Sequence, residues 1–321
     1  MKPKVDDPRL LVLEEHRKTK RRRLFLGLLA AVVAQGMYMA AQADSGQRAS
    51  AIRVKLDAAH HNFHTVEGRY APLARLLSES GFEVSAYRDT ITARGLKTTD
   101  ILVIANALHE RNVNHWAKPV LPALTAAEVT AISTWVEAGG SLLLIADHFP
   151  FPGAIANLAA AFGFEFVDGF ALDPSMSQVD LFDRRDGSLR PHKGITEGVD
   201  NPVTRVAAFT GSAFKAPRDA RALLALPERY VVWLPERAWE FNPQTPRVPA
   251  EGLLQGATRD FGRGRVAVFA EAALFTRQAA PNAEGGSIGF EHPRARDNRA
   301  FIRNVFRWLG ESRPQTASDR R

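Results

Sequence analysis

The 321 residues include no cysteine, which excludes disulfides, thiolate metal sites and a cysteine nucleophile. Hydrophobic residues make up 45% and charged residues 24%, the balance of a globular chain able to bury a sizeable core. The net charge of +7 sits mainly at the start, where nine Lys or Arg against four Asp or Glu in residues 1–23 leave only about +2 downstream; with no zinc knuckle, basic helix or aromatic-interleaved basic stripe, a nucleic-acid partner is not expected.

The basic run Lys18, Lys20 and Arg21–Arg23 precedes the apolar stretch Leu24–Val33 and then Met37–Ala41, a targeting pattern. Ala41-Gln42-Ala43 has the small-x-small form of a signal-peptidase site, so cleavage after Ala43 is expected. The rival is an uncleaved anchor, since Leu24–Ala41 is within reach of the roughly 17–25 residues that span a bilayer. Both place the positive cluster inside and send the rest out, to the periplasm, to the medium or to a tether on the inner membrane. Arg22-Arg23-Leu24 also resembles a twin-arginine signal, which leaves the export route open. Residues 1–48 are thus read as an address, 49–311 as one domain and 312–321 as a polar tail.

Downstream, Ala51–Leu56 alternates as a strand, Ala71–Glu79 has helical spacing at Leu73, Leu76 and Leu77, and Phe82–Ala86 is a second strand after Gly81. Ile101–Ala105 and Ser141–Ala146 are continuous apolar runs, expected of strands covered on both faces. Between them Thr125-Ala-Ala-Glu128 is a capping box for a helix that ends at Gly139-Gly140. Ala154–Phe162 reads as a further helix. Within 165–235 short strands are expected at Arg205–Phe209, Ala222–Leu226 and Tyr230–Leu234. Arg265–Ala270 is the last strand and Asn298–Leu309 an amphipathic helix. Alternating strands and helices predict an α/β, doubly wound, mostly parallel sheet with helices on both faces.

In such sheets ligands bind beyond the carboxyl ends of the strands. Those ends carry Asp57, His60, His61, Asn62 and His64 after the first strand, Asn106 after the third with His109 and Glu110 just beyond, Asp147 and His148 after the fourth, and Glu271 after the last. Asp and Asn in these places ordinarily cap a helix or close a turn. Histidines in three separate strand-end loops are not explained by capping. The strand-to-helix turn at Ile145-Ala-Asp147-His148-Phe-Pro lacks the Gly-x-Ser-x-Gly elbow of a serine hydrolase.

Asp57-Ala-Ala-His-His-Asn-Phe-His-Thr65, Ile104-Ala-Asn106, Gly139-Gly-Ser-Leu-Leu-Leu-Ile-Ala-Asp-His148, Ala207–Gly211, and Glu271-Ala-Ala-Leu-Phe-Thr276 with Asn298 and Trp308 resemble an uncharacterised bacterial group with a class I glutamine amidotransferase-like fold. The resemblance covers about residues 51–310 and implies a flavodoxin-like sheet. It also implies a Cys at the elbow and His with Glu after a late strand. Here the elbow holds Asp147-His148, so glutamine-dependent ammonia transfer does not carry over.

Two readings follow. In one the protein is a hydrolase with Asp57, His60, Asp147, His148 and Glu271 as catalytic groups, and a divalent metal on His60, His64 and Asp147 that activates water. His61, Asn62 and Asn106 would then contact the ligand. In the other it is a non-catalytic envelope module that binds a carbohydrate or a partner protein at the same edge, where Trp116 and Trp233 are candidates to stack on a sugar.

Overall fold

The computed structural model describes residues 51–175, 179–197, 202–282 and 284–311. The segment expected to direct export and the polar tail lie outside the described residues. The described residues from Ile52 onward form one folded unit.

Strand β1 (Arg53–Asp57), helix α1 (Ala71–Ser78) and strand β2 (Glu83–Tyr87) form the first unit, followed by β3 (Ile101–Ala105), α2 (Ala126–Glu137) and β4 (Ser141–Ile145). Two short helices, α3 (Phe151–Ala154) and α4 (Ala156–Ala161), replace the single helix expected over Ala154–Phe162. The break has a local cause, because the Ala154 carbonyl accepts from Ala123 N–H at 2.7 Å, and Ile155 leaves helical dihedrals (φ −110, ψ 7).

The next stretch is richer in strands than expected. It contains β5 (Glu165–Leu172), β6 (Asp180–Asp183), β7 (Arg205–Ala208), β8 (Gly211–Lys215), β9 (Arg221–Ala225), β10 (Val231–Trp233) and β11 (Arg247–Pro249). After them come β12 (Leu254–Phe261), β13 (Gly264–Phe269), the hairpin strands β14 (Arg277–Ala279) and β15 (Ser287–Gly289), and helix α5 (Asn298–Gly310). Among the described residues no helix is long and apolar enough to cross a membrane.

The main sheet has eleven strands in the order β11-β10-β5-β8-β12-β13-β4-β3-β1-β2, with β9 also paired to β12. Its parallel character belongs to one half. Strands β2, β1, β3, β4 and β13 are mutually parallel, while β12, β9, β8, β5, β10 and β11 pair antiparallel. The expected doubly wound sheet is therefore a five-stranded parallel core with an antiparallel wing.

Period-two alternation explains the apolar runs of β3 and β4. Ile101, Val103, Leu143 and Ile145 pack on one face with Leu73, Leu76 and Leu77 of α1 and Phe301, Val305 and Phe306 of α5. Leu102, Ile104, Leu142 and Leu144 pack on the other with Ile132 and Val136 of α2 and Leu158 of α4. Helices thus cover both faces of the core, but only two long enough to matter lie on each. The capping box forms as expected: Thr125 Oγ1 accepts from Glu128 N–H at 3.3 Å, and Glu128 Oε2 accepts from Thr125 N–H at 3.0 Å.

The wing is joined to the carboxyl-end edge of the core by Ser212 N–H, which donates to Ala270 O at 2.8 Å, and Phe149 N–H, which donates to Gly169 O at 2.9 Å. Gly211 permits that approach, since a Cβ there would lie 2.3 Å from Ala270 O. Neither backbone can retreat from a strand pairing. Gly211→Ala is expected to cost about 1–3 kcal/mol through overpacking, measured as a lower denaturation midpoint with an unchanged denaturant slope.

Candidate functional site

Parallel pairing brings the carboxyl ends of β1, β3, β4 and β13 to one edge, which collects every strand-end residue singled out from the sequence. The structure then divides all of them but His61 into two groups.

The first group is a closed clamp. His60 Nδ1 lies 2.9 and 3.0 Å from the two Asp57 carboxylate oxygens, and its Nε2 lies 2.9 Å from Glu128 Oε1. Asn62 Nδ2 donates to Asp57 Oδ2 at 3.0 Å and to Ala105 O at 3.3 Å, while its Oδ1 accepts from His60 N–H at 3.1 Å. Glu128 Oε1 also accepts from Ile91 N–H at 3.0 Å. Burial alone lowers the His60 pKa, but the hydrogen bonds and charges of Asp57 and Glu128 together raise it above its ordinary value. A protonated imidazole held between two carboxylates satisfies both of its N–H groups internally, and nothing is left over for a substrate.

Asp57, His60 and Asn62 are thus brought together in one clamp that holds the first loop to the start of α2. Of the candidate metal set His60, His64 and Asp147, both His60 nitrogens and His64 Nδ1 make these hydrogen bonds. Among the described residues no group of three or more His, Asp or Glu is arranged to hold a metal. His61 stands apart from both groups, exposed and in a left-handed backbone (φ 46).

The second group keeps unsatisfied capacity. Asn106, fully buried with φ 48, accepts from Asp147 N–H at 2.8 Å through Oδ1, so its amide must point Nδ2 at His64 Nδ1, 3.1 Å away. His64 Nδ1 is then an acceptor, and the ring carries its proton on Nε2. Burial, with the charges of Arg69 and His148, takes the His64 pKa down to about 3, so the ring stays neutral. His148 Nδ1 lies 2.7 Å from Phe149 O and donates to it. The His148 ring is fixed by stacking on Phe170 (4.6 Å, 9°).

The two carboxyls of this group lie close enough to feel each other. Glu271, 1% exposed, is pushed well above the ordinary carboxylate range by burial and by the negative charge of Asp147, opposed by the amides of Leu274 and Ala273 at 2.7 and 2.8 Å. Asp147, 8% exposed, is pushed up by burial and pulled back by the charge and backbone N–H of His148. Burial and the neighbouring charge of Asp147 act in the same direction on Glu271, whose carboxyl holds its proton above the usual range. The Tyr70 hydroxyl, which donates to Ala272 O at 3.2 Å, is raised well above 10 by burial and by the same two charges, and stays neutral.

Several members were not read from the sequence. Asp180, pushed up to about 6 chiefly by burial, accepts from Tyr230 OH at 2.5 Å and adds its charge to the field on Glu271. Asp168 rises to about 7, again mainly through burial, beside Gly153 N–H at 3.0 Å. Both lie in the stretch whose strands were hardest to parse. Glu128 was legible only as a helix cap; its second contact, to His60, spans 68 residues.

No family model and no curated protein matches the chain. Among solved structures it is similar to the mmIFT52 N-terminal domain, with 14% identity and a TM-score of 0.54, over 82% of this chain and 100% of that one. It is also similar to a cytoplasmic protein from Salmonella typhimurium LT2 (14% identity, TM-score 0.49, 81% and 99% coverage). A thua-like protein from Bacteroides uniformis gives 14% identity and a TM-score of 0.45, with 82% and 94% coverage. At such identities the likeness extends to the backbone architecture alone.

His60→Ala leaves two buried carboxylates without their cation and is expected to cost about 3–5 kcal/mol. Because the folded His60 value is raised above 6.5, its contribution is complete below pH 6.5 and lost as pH rises through the folded value. The stability difference between wild type and His60→Ala, followed by urea denaturation, therefore shrinks as pH rises above 6.5. His64 acts with the opposite sign: its contribution is present above 6.5 and is lost as pH falls toward about 3.

Proposed function

We propose that the domain is a hydrolase whose proton transfers run between the Asp147–Glu271 carboxyl pair and His148. The observation that carries this reading is a buried Glu271 carboxyl held up by burial and the charge of Asp147, beside an imidazole whose Nε2 makes no hydrogen bond within the described residues. Asp147, the more exposed member, presents a proton to the leaving group. His148 Nε2 takes a proton from water, whose oxygen forms the new bond as the bond to the leaving group breaks. His64 Nε2–H, kept neutral and oriented by Asn106, supplies a fixed donor at the same edge.

The absence of cysteine supports a reading outside glutamine amidotransfer, although the backbone is of the kind that the motif resemblance implies. The basic-then-apolar stretch before Ala43 adds an exported location to the proposal. One observation favours the non-catalytic alternative: both Glu271 oxygens accept backbone N–H groups, as a simple cap would.

A panel of chromogenic esters, phosphoesters and glycosides separates the two. Turnover by the wild-type domain is expected to fall about 10²–10⁴-fold in Asp147→Asn and in His148→Ala, with both variants folded by circular dichroism. Wild-type turnover is expected to decline as pH rises through the raised value of the pair, because ionisation removes the acid. Equal turnover in wild type and both variants rules the site out.

A further inference from the structure

The loop that ends in Trp116 and the loop that carries Trp239 meet beside His148. Lys118 N–H donates to Glu236 O at 3.0 Å, Ala238 N–H donates to Trp116 O at 2.8 Å, and Lys118 Nζ reaches the Glu236 carboxylate at 2.9 Å. These bonds hold the two loops as one surface. Between them lies an open depression of about 340 Å³, lined by Val113, Asn114, Trp116, Arg237, Ala238 and Trp239. The Trp116 and Trp239 ring centroids lie 6.0 and 4.6 Å from that of His148, so the depression shares its aromatic walls with the proposed base.

Trp239 is unusual in two ways. It is 54% exposed, and its backbone is left-handed (φ 69). A bulky residue in that region is an outlier that costs about 1–3 kcal/mol. An exposed indole also forgoes the stabilisation of burial. Its ring is nevertheless held edge-on against His148 and Phe170, at 4.6 and 4.7 Å, so the strain fixes a large aromatic surface at the edge of the depression.

Resting on the hydrolytic reading above, we infer that this depression is a carbohydrate subsite, which takes one pyranose ring against Trp239 and Trp116 and so makes the substrate a glycoside. A pyranose presents C–H groups of slight positive charge on its faces and hydroxyls around its rim. The negative face of an indole suits the first. Asn114, whose carboxamide has no partner among the described residues, and Arg237, poised 3.3 Å from Glu240, suit the second. The volume falls at the low end of the roughly 300–1,000 Å³ of small-molecule sites, enough for a single ring.

Calorimetry with cellobiose, maltose and diacetylchitobiose, together with turnover of the matching p-nitrophenyl glycosides, tests the assignment. At least one disaccharide is expected to bind the wild-type protein, with Kd raised tenfold or more in Trp239→Ala, threefold or more in Asn114→Ala, and within threefold of wild type in Asp147→Asn. Asn114→Ala serves if Trp239→Ala fails to fold. The subsite is overturned if none of the three disaccharides binds, or if the folded variants bind as tightly as wild type. Binding that depends on Trp239 without any turnover removes the hydrolase and keeps the subsite. Turnover lost in Asp147→Asn but untouched in Trp239→Ala removes the subsite and keeps the hydrolase.

Discussion

At the end of β3 the backbone of Asn106 turns left-handed and carries its carboxamide across to the end of β4. Because Oδ1 accepts from Asp147 N–H, Nδ2 has no choice but to face His64, and the proton on that ring is assigned to Nε2. A single buried amide therefore sets the position of Asp147 and the tautomer of His64 at once. An apolar residue in its place would leave the Asp147 N–H and His64 Nδ1 buried without partners, each loss worth about 1–3 kcal/mol. The geometry of the edge depends on this bridge more than on any single charge.

The same edge shows two opposite ways of handling acids and imidazoles. Around His60 two carboxylates outweigh burial, the ring is charged, and each polar atom has a partner. Around His64 burial wins, the ring is neutral, and burial together with the charge of Asp147 keeps Glu271 well above the ordinary carboxylate range. Paired charge gives a rigid latch between the first loop and α2. Uncompensated charge gives groups whose protons can move, which is the condition for acid–base chemistry.

The antiparallel wing converts this edge from an open crevice into a walled one. Phe170 of β5 stacks on His148, and the loop after β10 brings Trp239 against the same ring. Gly211 and Gly169 allow the close crossings, since a Cβ at Gly169 would meet Trp233 O at 2.3 Å. Trp233, one of the two tryptophans considered for sugar stacking, lies instead beneath Arg247 at 4.2 Å and against Phe241. A shared architecture with other proteins leaves such wall residues free to differ, so the chemistry has to be read from the side chains at the edge.

Much of the parallel core was legible in the sequence. Ile101–Ala105 is a strand over its full expected length, the Thr125–Glu128 capping box starts α2, and the acids and imidazoles of the strand ends do share one edge. These features are local, or follow from parallel pairing alone, and period-two alternation and cap chemistry are written in neighbouring residues. The wing was largely hidden, because the pairing register of β5 shifts between Val167 and Ala171 and its partners are distant in sequence. The sequence by itself determined which residue types reach the edge, and the lack of cysteine determined which nucleophile was missing. Only tertiary structure decided which histidine is charged, which carboxyls repel, and that Asp180 and Trp239 belong beside them. Burial and charge separation depend on distance in space, and no spacing along the chain encodes that distance.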